Sequence, residues 1–174
     1  MPDFGVLLDR LQHQPELAVA YGRVTLIDRQ SATIGELPIA RRGRDLPALL
    51  ARGIVPFAQP GTVLRRNLCE KLVGFDETLQ VAADLDFFAR ALASGAQFGF
   101  IPAHVAAFRL RAGQLSKRRS DVEAETRRAL SVLKHVRPSA VATWRFRLGN
   151  LGTYLRRIRA HGWVSMRELY DRTG

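Results

Sequence analysis

Carboxylates at close spacing mark the part of this sequence best equipped for chemistry. Asp76 and Glu77 stand side by side, and Asp84 and Asp86 follow on a segment where Val81, Leu85, Phe88 and Leu92 recur at the helical period. Counting about 100° per residue, Asp84 lies roughly 60° from the centre of that apolar stripe, with Asp86 and Arg90 on the far side. Asp86 and Arg90 are therefore expected to form a solvent-facing pair one turn apart, worth about 0.3–0.5 kcal/mol. Asp84 has two readings. A carboxylate near a helix start can satisfy the amides of its own first turn. It can also be a general base whose acidity is set by an apolar edge.

The elements that must position these groups read as a short helix from Asn67, a tight turn at Gly74, an acidic loop and a second amphipathic helix. Val73-Gly-Phe-Asp-Glu77, followed by Asp84-Leu-Asp86 and Arg90, resembles the acceptor-side half of family 2 glycosyltransferases with the GT-A fold. Those proteins carry an arginine, a helix, a Gly-Gly-Phe/Tyr-Asp-Glu turn and then Glu-Asp-x-Asp/Glu-Leu-x-x-Arg. The resemblance implies that Asp84 is the base that deprotonates an acceptor hydroxyl. Glu77 would support the acidic loop, and Asp76 would cap the turn. Ala83 stands where the family has glutamate, and Val73 where it has the first glycine of the turn.

Upstream, Pro2 to Leu11 has Phe4, Leu7, Leu8 and Leu11 on one helical face, and Leu17 to Ile27 reads as a strand after the His13–Glu16 break. These resemble the segment that follows the metal-binding Asp-x-Asp motif of the same family. That motif does not occur in the sequence, which is therefore read as starting just downstream of the donor site, so that Mg²⁺ or Mn²⁺ is implied by the family alone. Asp45 is expected to cap a short helix from Leu46 to Arg52 that stops at Gly53, beside a basic loop, Arg41-Arg42-Gly43-Arg44. By position in the family, Gln59, Thr62 and Arg65 would line the acceptor side. Gln97–Ile101 and His104–Arg109 read as two short strands, and Asp121–Lys134 as a surface helix with early acids and late bases. Arg111 replaces a family histidine that contributes to the metal and diphosphate site; an arginine there would meet a phosphate oxygen instead.

Composition sets the outer frame. The chain has 174 residues, 47 % of them hydrophobic, and a formal charge of +11. The excess is uneven: residues 1–133 hold 18 basic and 14 acidic side chains, and residues 134–174 hold 9 and 2. No apolar run has the length of a membrane span, and no signal-peptide layout opens the chain. The single cysteine, Cys69, allows no internal disulfide and reads as a small core residue. In the last region Trp144, Leu148, Leu151, Leu155 and Ile158 recur at helical spacing among arginines. Such a helix either lies on an anionic membrane surface or packs its stripe into the domain.

The expected architecture is thus α/β: a partial GT-A fold with a short mixed sheet flanked by helices (1–133) and a basic helical tail (134–174). The expected activity is inverting transfer of a sugar from a nucleotide-sugar donor to a saccharide or lipid-linked acceptor, weak or absent in this chain alone because the donor site is missing. The alternative is a non-catalytic carbohydrate- or partner-binding remnant. Nucleic acid is not the expected partner, because the charge comes without a reading motif or stacking aromatics. The expected location is cytoplasmic, at the inner face of the membrane if the tail binds lipid.

Overall fold

A computed structural model describes residues 3–110 and 119–162, the first three positions of the second stretch by backbone alone. The described residues form a mixed α/β structure organised on strand β1 (Leu17–Ile27), which follows helix α1 (Gly5–His13). Strand β4 (Gln97–Arg109) runs parallel to β1 along its whole length. The opposite edge of β1 is shared by two short antiparallel strands. β2 (Thr33–Glu36) lies beside Thr25–Ile27, and β3 (Thr62–Leu64) beside Val19–Tyr21.

Consecutive β1 side chains are buried, because both faces of the sheet are covered. On one face Ala20 and Leu17 meet Leu7 and Leu11 of α1 together with Val105. On the other, Val19 and Tyr21 enter the main core with Phe57, Phe88 and Phe98. Phe57 sits at the centre of this aromatic group, 5.0 Å from Phe88 edge to face and 5.7 Å from Tyr21. The Tyr21 hydroxyl donates to the Ala40 carbonyl at 2.9 Å. Burial, and then the nearby Asp45 carboxylate, hold that phenol protonated far above its ordinary range.

The two short strands expected over 97–109 are one irregular strand. Tyr21 pairs with Phe100 and Arg23 with His104, so two residues of β1 face four of β4. The excess contains Pro102, which has no N–H for the ladder, and a bulge accommodates it without ending the strand. Gly22 lies opposite. A Cβ there would come within 2.7 Å of a Val105 methyl and 3.0 Å of the Ala103 carbonyl, so only glycine lets the strands close over the bulge.

Helix α2 (Leu46–Leu50) buries Leu46, Leu49 and Leu50 and gives way to a turn that ends at Gly53, φ +74°. Asp45 does not cap it. Its buried carboxylate instead takes a two-point contact from Arg145, Nε to Oδ2 at 2.9 Å and Nη2 to Oδ1 at 2.5 Å. The helical stretch expected from Trp144 to Ile158 is a pair of helices, α6 (Ala140–Gly149) and α7 (Leu151–His161), joined at Asn150. Ser139 caps α6 by accepting from the Ala142 amide at 3.2 Å. Ala142 and Phe146 belong to the main core, whereas Trp144, Leu148, Leu151 and Leu155 are exposed. The helix pair therefore docks by the face opposite the apolar stripe, and the stripe is not core.

At the join, Asn150 is 2 % exposed and acts as a substitute strand partner for Ile39. Its Oδ1 accepts from the Ile39 amide and its Nδ2 donates to the Ile39 carbonyl, both at 2.9 Å, and Nδ2 also donates to the Phe146 carbonyl at 2.7 Å.

Candidate functional site

The segment carrying the acidic groups folds as helix α3 (Arg66–Lys71), a tight turn, a loop through Ala82, and helix α4 (Ala83–Ala93). α3 stops where the chain turns left-handed at two successive residues, Val73 (φ +58°) and Gly74 (φ +70°). The Gly74 amide reaches back to the Cys69 carbonyl at 2.9 Å and the Val73 amide to the Glu70 carbonyl at 3.1 Å, which satisfies the end of the helix. The valine is 89 % exposed, so it occupies a glycine conformation with no packing in return.

Asp76 then builds a turn of its own, its Oδ1 accepting from the Thr78 amide at 2.9 Å and the Thr78 hydroxyl at 2.6 Å. Its Oδ2 accepts from Arg128 of helix α5 (Arg119–Leu130) at 2.9 Å. The Thr78 bonds first, and then Arg128 and Arg90, hold this carboxyl below the usual aspartate range. Glu77 is exposed beside it.

A second α5 carboxylate fixes the other end of the loop. Glu125 accepts from three consecutive amides, Gln80 at 3.0 Å, Val81 at 2.8 Å and Ala82 at 3.0 Å. These donors lead into a helix whose N-cap, Ala82, has no side-chain oxygen. The amide bonds keep the Glu125 carboxyl below its ordinary range. Sequence reading treated Glu125 as one acid on a surface helix. The signal that could have found it was the missing cap at Ala82, which obliges some distant acceptor to serve.

Asp86 and Arg90 form the expected pair, Nε to Oδ2 at 2.7 Å, but it is not solvent-facing: Arg90 is 26 % and Asp86 14 % exposed. The other guanidinium nitrogens donate to the Leu72 carbonyl at 2.6 Å and the Gly74 carbonyl at 2.8 Å, so Arg90 clamps the end of α3 to α4. Phe87 beneath it is fully buried, as is Ala91, because α4 is covered over a wider arc than the stripe indicated. Val81 lies before the helix.

Asp84 occupies the first turn of α4 and is half-buried. Its Oδ1 accepts from the Leu85 amide at 2.7 Å. Among the described residues Oδ2 has no hydrogen-bond partner. The remaining candidates lie on one stretch around β3. Gln59 is exposed, and its carbonyl accepts from the Thr62 hydroxyl at 2.8 Å. Arg65 donates to the Leu17 carbonyl at 2.7 Å, the Gln14 carbonyl at 3.3 Å and the Leu11 carbonyl, tying α1 to β1. It also borders a shallow cleft of about 240 Å³ with Glu16, Asn67 and Lys71. Gln59 and Thr62 are joined by their hydrogen bond, whereas the Arg65 guanidinium is turned to α1 and β1. No hydrogen bond or ion pair among the described residues joins that segment to Asp84. Arg111 lies outside the described residues.

The divalent ion implied by the family finds no fitting ligand set among the described residues, where no three His, Cys, Asp or Glu side chains converge. What the arrangement can do is hold one carboxylate, Asp84, beside Asp76, Asp86 and Arg90, which are committed to structure, with Glu77 exposed on the same loop. Compared with known proteins, the sequence matches no family model and no curated protein.

Proposed function

We propose that this chain is the acceptor-side part of a GT-A-like glycosyltransferase, with Asp84 as general base. One observation carries the reading. Asp76, Asp86, Arg90, Glu125 and Arg128 are all engaged in fixing the loop and helix start, while Asp84 holds one oxygen on the neighbouring amide and keeps the other without a partner among the described residues. That is the disposition a base needs: orientation from one lone pair, proton acceptance through the second.

In the proposed reaction Asp84 Oδ2 takes the proton of an acceptor hydroxyl as its oxygen attacks the anomeric carbon of the donor. The bond to the nucleoside diphosphate breaks with inversion, and its electron pair leaves with the diphosphate.

The test pairs calorimetric titration of nucleotide sugars and oligosaccharides with a turnover assay on the same panel. Asp84→Asn keeps the acceptor for the Leu85 amide and removes the base. It should bind saccharide as the parent does and lose turnover by at least about 100-fold. Undiminished turnover in Asp84→Asn, or a chain that binds no saccharide, overturns the proposal. Saccharide binding without turnover in the parent leaves the second reading, a carbohydrate-binding module.

A further inference from the structure

Helices α6 and α7 place five large apolar side chains on one exposed line: Val141, Trp144, Leu148, Leu151 and Leu155, spaced by 3, 4, 3 and 4 residues and each between 50 and 66 % exposed. Ile158, the sixth apolar position of this periodicity, is half-buried at the edge. The line cannot turn inward. Phe146 and Ala142 lie in the core on the opposite face, Arg145 is held by Asp45, and the join is fixed to Ile39 through Asn150. α7 is tied down further along, where Arg156 meets Glu36 at 3.3 Å and the His161 Nε2 approaches the Ile34 carbonyl at 2.8 Å.

Charge identifies what covers this face. Residues 134–162 contain seven Lys and Arg and no Asp or Glu. At about 100° per residue within each helix, Arg147 lies beside the apolar residues of α6 and Arg159 beside those of α7, and both are exposed. The fold adds a contribution from far away in the chain. The basic loop at 41–44 packs against the join, with Arg41 donating to the Gly149 carbonyl and Arg41 and Arg42 lining a cleft with Leu148. Exposed apolar side chains on both helices, a tryptophan among them and cations beside them, match the boundary between anionic headgroups and acyl chains.

We infer that the exposed face of α6 and α7, together with the Arg41–Arg42 loop, seats the protein on the surface of an anionic lipid bilayer. The helices lie in the plane of the interface, since no helix among the described residues is long and apolar enough to cross a membrane. This inference is independent of the glycosyltransferase reading and survives its failure.

Vesicle flotation of the full chain tests it, comparing neutral phosphatidylcholine vesicles with vesicles containing about 30 % phosphatidylglycerol. The chain should float with the anionic vesicles, stay behind with the neutral ones, and be released as salt rises to about 0.5 M. Leu148→Glu with Leu155→Glu changes exposed positions only and should abolish flotation while the melting temperature holds. Arg147→Glu with Arg159→Glu should weaken binding by well over tenfold, each lost arginine accounting for about fivefold. Should the leucine variants fail to fold, Trp163→Phe leaves Trp144 as the one tryptophan, and quenching of its fluorescence by brominated acyl chains reads insertion directly. Absence of flotation with anionic vesicles, unchanged binding by the leucine variants, or a stable dimer dissolved by those variants, with Trp144 unquenched, overturns the inference.

Discussion

Replacing Asn150 by alanine tests how firmly the C-terminal helices are attached. The substitution removes three hydrogen bonds, each with a net worth of about 1 kcal/mol. It also leaves the Ile39 amide buried without an acceptor, which adds roughly 1 kcal/mol or more. The expected loss is about 3–4 kcal/mol out of a total of roughly 5–15 kcal/mol, so the protein should still fold. For a chain of this length that corresponds to a fall in melting temperature of roughly 6–15 °C. Urea denaturation with thermal melting, both followed by circular dichroism, measures it. Gly152→Ala serves as the control. Its added Cβ would meet nothing closer than Arg156 Nη1 at 3.5 Å, so it should raise stability by up to about 1 kcal/mol through helix propensity alone. If Asn150→Ala costs less than about 1 kcal/mol, the docking of α6 and α7 through Ile39 is refuted.

Two further predictions concern the loop before Asp84. Val73→Gly should stabilise by about 0.5–1 kcal/mol, because relief of the left-handed conformation outweighs the added freedom of the unfolded chain and no packing is lost; a melting temperature that stays level or falls refutes it. Glu125 has a folded pKa below its unfolded value, so its contribution is present above the ordinary glutamate range and is lost as pH falls through the folded value. Glu125→Gln should therefore lower the melting temperature at neutral pH and flatten its decline as pH falls below the ordinary glutamate range. Asp76 titrates in the same direction, so a residual slope should remain in the variant and shrink further on Asp76→Asn.

The elements legible in the sequence are those whose pattern is local. β1 spans Leu17–Ile27 as expected, because a run of apolar and β-branched residues is bracketed by a proline break and an Asp28 turn. The succession of short helix, glycine stop, acidic loop and second helix was equally readable, as was the early-acid, late-base helix that became α5. What escaped were decisions taken between distant residues. Asp45 has the composition of a helix cap, but a guanidinium 100 positions away claims its carboxylate. Asn150 looks like an interruption in an amphipathic helix, and only Ile39 explains it. Glu125 reads as solvated charge until the bare N-terminus of α4 is placed beside it. Periodicity located the stripe from Trp144 to Leu155 correctly but could not say whether it faced inward, because that depended on the smaller face of Ala142 and Phe146.

The pairing of β1 with β4 has a consequence for how the chain is born. The two strands lie about eighty residues apart in sequence, so β1 leaves the ribosome well before β4. β2 and β3 can cover one of its edges early, each over three residues, but the other edge waits for β4. Through that interval a strand of apolar side chains presents a full row of free amides and carbonyls, the template that recruits foreign strands. Closing so long a loop also makes this pairing a slow step. During synthesis, shelter for that edge, as a chaperone provides, protects the yield of native protein.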